Sequence, residues 1–211
     1  MAIHQPPAQL SAPEYADMPQ GTVLHRVHQT AYRGAEFNPG RGGLTRFAPF
    51  HDGAGTVVPS LYASTTLRAA ILETLFHDIP ADARTKTARL REVHLRTHSE
   101  IETVRDLRLV ALRNPTMGRW GISRNKLISS SPALYEQTVL WAEAVHRNIP
   151  DADGLVWTSN QCDPDGACLF FGDRVGETDF MVRGARDGMT DKTFLKDVRD
   201  EGRLRGIVLT V

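Results

Sequence analysis

The chain has little of what would hold it outside the cytosol or on a polyanion. Only two cysteines, Cys162 and Cys168, occur in 211 residues. So few thiols exclude the disulfide framework of a small secreted domain and point to a reducing compartment. Neither charge is in surplus: 25 Lys and Arg stand against 25 Asp and Glu, which leaves no broad positive field for a nucleic-acid backbone or an anionic bilayer. Direct contact with DNA is not expected. No run is long and apolar enough to span a bilayer, and the opening Met-Ala-Ile-His-Gln-Pro-Pro-Ala lacks the basic start and apolar stretch of a signal peptide. A cytoplasmic protein with no membrane contact is expected. Internal repeats and low-complexity tracts are also missing.

What is present suffices for one domain. At 41% hydrophobic, the chain can bury a sizeable core, and that apolar share also permits a homo-oligomer. Residues 1–20 carry four prolines among small and polar residues, and read as a flexible or surface-hugging, proline-rich N-terminal arm ahead of a domain over 21–211.

Within that domain, Thr22–Val27 and Ser60–Ala63 read as strands, separated by the turn-rich stretch Asn38-Pro-Gly-Arg-Gly-Gly43. Ser64-Thr-Thr66 caps a helix from about Leu67 to His77, closed by Pro80. Thr87–Arg96 has an extended pattern, and residues 102–112 fit either state. Ser131-Pro132 opens an amphipathic helix reaching about Arg147. Leu155–Ser159, Leu169–Phe171 and Gly206–Val211 read as strands, and Thr193–Glu201 as a short helix. Strands and helices interleave without a regular βαβ rhythm, so the expected class is α+β, a single compact domain with a mixed sheet core.

Glu73 is the first residue to need an explanation. It lies in Leu67-Arg-Ala-Ala-Ile-Leu-Glu-Thr-Leu-Phe76, apolar on nearly every side, where a carboxylate costs stability unless it has a partner or a task. Spacing alone also allows an i,i+4 contact with His77 or exposure on a polar stripe with Thr74. Arg26, in a short strand near a glycine-rich loop, could grip phosphate with its forked guanidinium or close an ion pair on the sheet. Tyr62 and Ser159 fit structural roles equally well, as a half-buried strand aromatic and a hydroxyl bonded to backbone.

Together these residues resemble the RES domain, a family named for its Arg, Glu and Ser. The resemblance runs from about Val23 to the C-terminus through Leu24-His-Arg26, Leu61-Tyr-Ala-Ser-Thr-Thr-Leu-Arg-Ala-Ala-Ile-Leu-Glu73, and Gly154-Leu-Val-Trp-Thr-Ser159 with Leu169-Phe-Phe171. The family's Gly-Arg-Trp or Gly-Arg-Phe element stands here as Thr45-Arg46-Phe47, without the glycine. The resemblance implies a fold similar to ADP-ribosyltransferases, and a toxin that depletes NAD by hydrolysis or phosphorolysis, or transfers its ADP-ribose to protein. NAD is then a substrate, and no resident cofactor is implied. Glu73 and Arg26 would be catalytic, and Arg26, Arg46, Tyr62 and Ser159 would bind NAD. It further implies neutralisation by a cognate Xre-type helix-turn-helix antitoxin, the member of the pair that would bind DNA. A protein that only binds a partner is the reading from another class, and it would tolerate loss of Glu73.

Competing signals are weak. His94 and His98 have a helical metal-ligand spacing in an extended-looking stretch with no third ligand, so no metal is expected. Asp163-Pro-Asp165-Gly166 lacks the oxygen ligands that complete a calcium loop, and reads as a turn. Gly40-Arg-Gly-Gly43 has neither P-loop nor dinucleotide-fingerprint spacing. A nucleophilic Cys162 or Cys168 has no His nearby in sequence.

Overall fold

Ten strands and six α-helices are found in the computed structural model, which describes residues 2–80 and 82–211. In chain order they are β1 (Tyr15–Met18), β2 (Val23–Gln29), β3 (Ser60–Ser64), α1 (Leu67–Leu75), β4 (Lys86–Arg89), α2 (Leu90–His94), β5 (Arg96–Thr103) and β6 (Leu107–Ala111). They continue as α3 (Asn114–Arg119), α4 (Arg124–Leu127), α5 (Tyr135–Asn148), β7 (Gly154–Thr158), β8 (Gly166–Phe171), β9 (Phe180–Asp187), α6 (Lys192–Leu204) and β10 (Ile207–Thr210). Eight strands form one sheet in the order β1-β6-β7-β8-β3-β2-β5-β9, with β6 and β7 parallel and the other neighbours antiparallel. β10 and β4 form a small parallel pair. The class is α+β with a mixed sheet, as expected. No helix among the described residues is long and apolar enough to cross a membrane.

Sequence pattern accounts for the centre of the sheet. β8 reads Gly-Ala-Cys-Leu-Phe-Phe, apolar at nearly every place, because both of its faces are covered. Ala167, Leu169 and Phe171 pack with Trp141 and Val145 of α5, while Cys168 and Phe170 pack with Leu24, Leu61 and Ile101. At the start of β7 the neighbouring backbone comes so close that a Cβ on Gly154 would lie 2.1 Å from the Leu169 carbonyl oxygen. Only glycine fits there. A third cluster joins α1 to α6 through Ala69, Ile71, Phe76, Phe194 and Val198, with Val27 of β2 beneath them.

One local reading is corrected. Thr87–Arg96 is not one extended segment: β4 gives way to the short helix α2, which buries Val93 against the α1–α6 cluster before β5 begins. Of the two readings of the N-terminal arm, the structure has the surface-hugging one, packed along the domain. Ile3 is buried, Trp141 Nε1 donates to the His4 carbonyl at 3.1 Å, Trp120 Nε1 donates to that of Ser11 at 2.9 Å, and β1 completes one edge of the sheet. The few apolar side chains of the arm find a surface, and the indole donors supply partners for backbone that prolines leave without a ladder.

The site is created by an interruption. β2 and β3 are sheet neighbours but pair at one position only, His25 opposite Ser64. Beyond it the strands part, and α1, launched directly from β3, packs along β2 with the Thr74 hydroxyl donating to the Val27 carbonyl at 3.3 Å.

Candidate active site

A cleft of about 720 Å³ fills this wedge, within the range of small-molecule sites. It is lined by β2 from His25 to His28, by Tyr62 of β3, by Glu73 and Thr74 of α1, and by Arg46, Tyr135 and Asn160 from the opposite wall. Four of the five residues singled out from sequence, Arg26, Arg46, Tyr62 and Glu73, therefore line one cavity although they are scattered along the chain.

Thr66 starts the helix that carries Glu73. Its hydroxyl oxygen accepts the Ala69 N–H at 3.1 Å and its proton goes to Asp165 at 2.8 Å, which ties the helix start to the loop after β7. That loop then meets Glu73. The Ser159 hydroxyl and the Asn160 N–H, at 3.1 Å, both donate to Oε1 of Glu73, leaving Oε2 without a protein partner among the described residues. Charge-assisted bonds of this kind hold a carboxylate firmly in place. His77 is not its partner, since that ring bonds to the Thr74 carbonyl and to Asp78.

Ser159 departs from its expected place. It is 1% exposed and does not line the cleft. Its oxygen also accepts the N–H groups of Gln161 and Cys162, at 3.1 and 3.0 Å, so the hydroxyl has no capacity left for a ligand. It is a positioning residue beneath Glu73.

Arg26 projects from β2, and its hydrogen bonds all run from Nη1, to the carbonyls of Gly34 (2.8 Å), Glu36 (2.9 Å) and, more weakly, Arg33. Burial lowers this guanidinium to about 10, with Glu36 and Glu177 opposing, so it remains cationic at neutral pH. Nε and Nη2 keep their protons available. Arg46 is held by the Ser130 hydroxyl (2.7 Å) and carbonyl (3.1 Å) and lies over the Tyr135 ring. Tyr62 fixes the segment that carries it: the Tyr62 oxygen accepts the Phe47 N–H at 3.1 Å and bonds to the Thr45 hydroxyl at 2.8 Å, gripping both sides of Arg46. Burial pushes the Tyr62 hydroxyl up to about 12, so it is neutral. Sequence reading missed Arg96, His28, Ser130 and Tyr135 of the lining, none of which has a local pattern to mark it.

The cysteines offer no nucleophile. Burial raises Cys162 to about 11, helped by its bond to Asp165, and Cys168 to about 12, so both stay thiols at neutral pH. His94 and His98 lie on separate elements, α2 and β5. Instead His25, His98 and Glu100 bring their ligand atoms together, a spacing that could suit a metal. However, Arg186 donates to His98 Nδ1 through Nε (3.1 Å) and Nη2 (3.0 Å), and a neutral imidazole has only one lone pair. His98 Nε2 then carries the proton and is a donor, not a metal ligand.

Two buried histidines give the fold a pH dependence. Burial lowers His28 to about 4, aided by Arg26, and His98 to about 3, aided by Arg186, against 6.5 in an unfolded chain. Below pH 6.5 the unfolded state takes up protons that the native state refuses. Stability is thus full above that pH and falls on acidification toward pH 4 by up to about 1.4 kcal/mol per pH unit for each histidine. Urea unfolding should show a lower midpoint at pH 5 than at pH 7, and equal midpoints would contradict this assignment.

The model of the RES domain matches residues 23–183. The chain belongs to the RES domain family. Among solved structures, this RES domain is similar to a chain in the crystal structure of the M. tuberculosis MbcT-MbcA toxin-antitoxin complex. The TM-score is 0.61 at 12% identity, over 87% of this chain and 92% of that one. At that identity the likeness concerns the fold. No curated protein matches this sequence.

Proposed function

We propose that this RES domain is the toxin of a toxin-antitoxin pair and depletes NAD by cleaving its nicotinamide–ribose bond. The observation that carries the reading is Glu73, which has Oε1 tied down by two donors and Oε2 free, in a cleft that also holds the cationic Arg26 and Arg46.

Breaking this bond sends the electron pair to the pyridinium nitrogen, and nicotinamide leaves neutral. No general acid is needed, unlike in ordinary glycoside hydrolysis. The ribose acquires oxocarbenium character, and Oε2 of Glu73 holds the ribose hydroxyls and stabilises the developing positive charge. Arg26, through Nε and Nη2, and Arg46 take the pyrophosphate. The Tyr62 ring packs against the cationic nicotinamide, and loss of the positive charge on that ring weakens its hold as the product leaves. Water or phosphate then captures the ribose carbon and sheds a proton to solvent. A protein side chain as acceptor would turn the same chemistry into ADP-ribosyl transfer.

The acceptor is identified by incubating purified protein with labelled NAD, with and without phosphate, and separating nicotinamide, ADP-ribose, its phosphate ester and labelled protein. Intact NAD throughout would refute the reading. For the partner, the M. tuberculosis toxin-antitoxin complex supports an antitoxin, and the Xre type is the reading that the RES resemblance implies. Its co-expression should relieve growth arrest.

Tyr62→Phe removes the clasp on Arg46 and leaves the Phe47 N–H unpaired. KM for NAD should rise about tenfold, the effect of one lost hydrogen bond to a positioned group, with kcat changed less. An unchanged KM would remove the positioning role.

A further inference from the structure

The cleft has a second polar wall that the proposed reaction does not use. His25 sits at its apex, the one position where β2 pairs with β3, and its side chain is 20% exposed. Behind it runs an ordered line of side chains across the sheet. Asp197 of α6 accepts from Arg186 Nη1 at 2.7 Å; Arg186 of β9 donates to His98 Nδ1; and His98 Nε2 lies 3.0 Å from His25 Nδ1. The rings of His25 and His98 are stacked 5.3 Å apart, and His98 stacks in turn on Phe194 of α6.

Each link fixes the next. A guanidinium can only donate, so His98 Nδ1 is an acceptor and its Nε2 carries the proton. That proton points at His25 Nδ1, which must accept. Glu100, 4.0 Å from the same Nδ1, therefore faces a nitrogen without a proton and makes no bond. The proton of His25 is left on Nε2, the ring nitrogen without a protein partner among the described residues.

We infer that His25 is a neutral hydrogen-bond donor to an acceptor oxygen of the bound dinucleotide, with its tautomer set from outside the cleft by Asp197, Arg186 and His98. This deepens the NAD reading and rests on it for the ligand. Arg186 and Asp197 lie beyond residues 23–183, the stretch that matches the RES domain, while His25 and His98 lie within it.

The groups facing the pair are Glu100 on β5, Arg186 on β9, His28 on β2, Asp191 and Asp197 at α6, and Glu73 on α1 across the cleft. Burial, aided by Arg186, lowers both rings from the ordinary imidazole value, so they are neutral at pH 7 and the wild-type KM for NAD should be flat from pH 7 to 8 as far as this pair is concerned.

The test has two arms. Nitrogen-15 NMR of the histidines in the free protein should show His25 and His98 both as Nε2–H tautomers; an Nδ1–H form of either, or stoichiometric zinc held by the pair, overturns the inference. In NAD turnover, His25→Leu should raise KM about tenfold with the melting temperature retained, and His25→Gln, which can place an N–H near the Nε2 position, should restore most of it. Arg186→Met frees His98 to hold its proton on Nδ1, so the Nε2–H pattern of the pair should be lost in the NMR arm and KM for NAD should rise; an unchanged pattern would remove Arg186 from the device. Wild-type protein that neither binds nor cleaves NAD sinks the proposed function, and the ligand assigned to His25 with it. Wild-type protein that does so, with His25→Leu indistinguishable from it, sinks the role of His25 alone.

Discussion

Replacing Glu73 by Gln is expected to lower NAD cleavage by about 10²–10³-fold, the usual cost of losing an electrostatic contact made to the transition state. The substitution is chosen for what it keeps. Gln has the same shape, and its carbonyl can still accept from the Ser159 hydroxyl and the Asn160 N–H, so the loop after β7 stays anchored. What changes is the outer atom: an anionic acceptor becomes a neutral donor facing the ribose. The loss should fall on kcat, because the charge on the sugar develops only as the bond breaks. Release of nicotinamide, followed chromatographically beside a thermal melt, measures both quantities. A Glu73→Gln protein with full turnover would remove the catalytic role assigned to Glu73.

The largest effect on stability is expected at Trp141, far from the chemistry. Its ring is 1% exposed, packs in the cluster between α5 and the sheet, and spans to the arm through the His4 carbonyl. Trp141→Ala leaves a cavity that these rigid neighbours cannot fill and removes the clamp on residues 3–4. A cost of about 3–5 kcal/mol follows. In a domain of this size that lowers the melting temperature by roughly 6–20 °C. A drop of only a degree or two would mean that the cluster collapses around the gap.

Legibility in the sequence followed the range of the interactions. The step from β3 into α1 is written locally, in a β-prone run, a Thr cap and a stretch of helix formers, and it appears within about two residues of its expected bounds. β9 has no such signature. It is an edge strand, and from Met181 to Ala185 its side chains are exposed, so no alternation betrays it. α2 was hidden because its five residues sit between two strands and are too few for a period to show. At the site, Glu73 announced itself as a charge in an apolar helix. The place of Ser159 beneath that charge, with no face on the cleft, depends on a contact across 86 residues. The same holds for His25 and His98, adjacent only because β2 and β5 pair in a particular register. The family resemblance supplied the members of the site; it took the fold to rank them as ligand-facing or supporting.

The single pairing of β2 with β3 also has a mechanical meaning. A continuous sheet would be stiffer, yet here the two halves of the main sheet are joined in series through His25 and Ser64 and otherwise by α1 and its neighbours. The cleft is therefore also the seam of the molecule. The carboxylate and Arg46 stand on one side of it and Arg26 on the other, so a ligand held by all three supplies the cross-links that the backbone omits. On the proposed function, the protein without NAD is the looser form, and a partner that props the seam apart would disarm it without touching a single reacting atom.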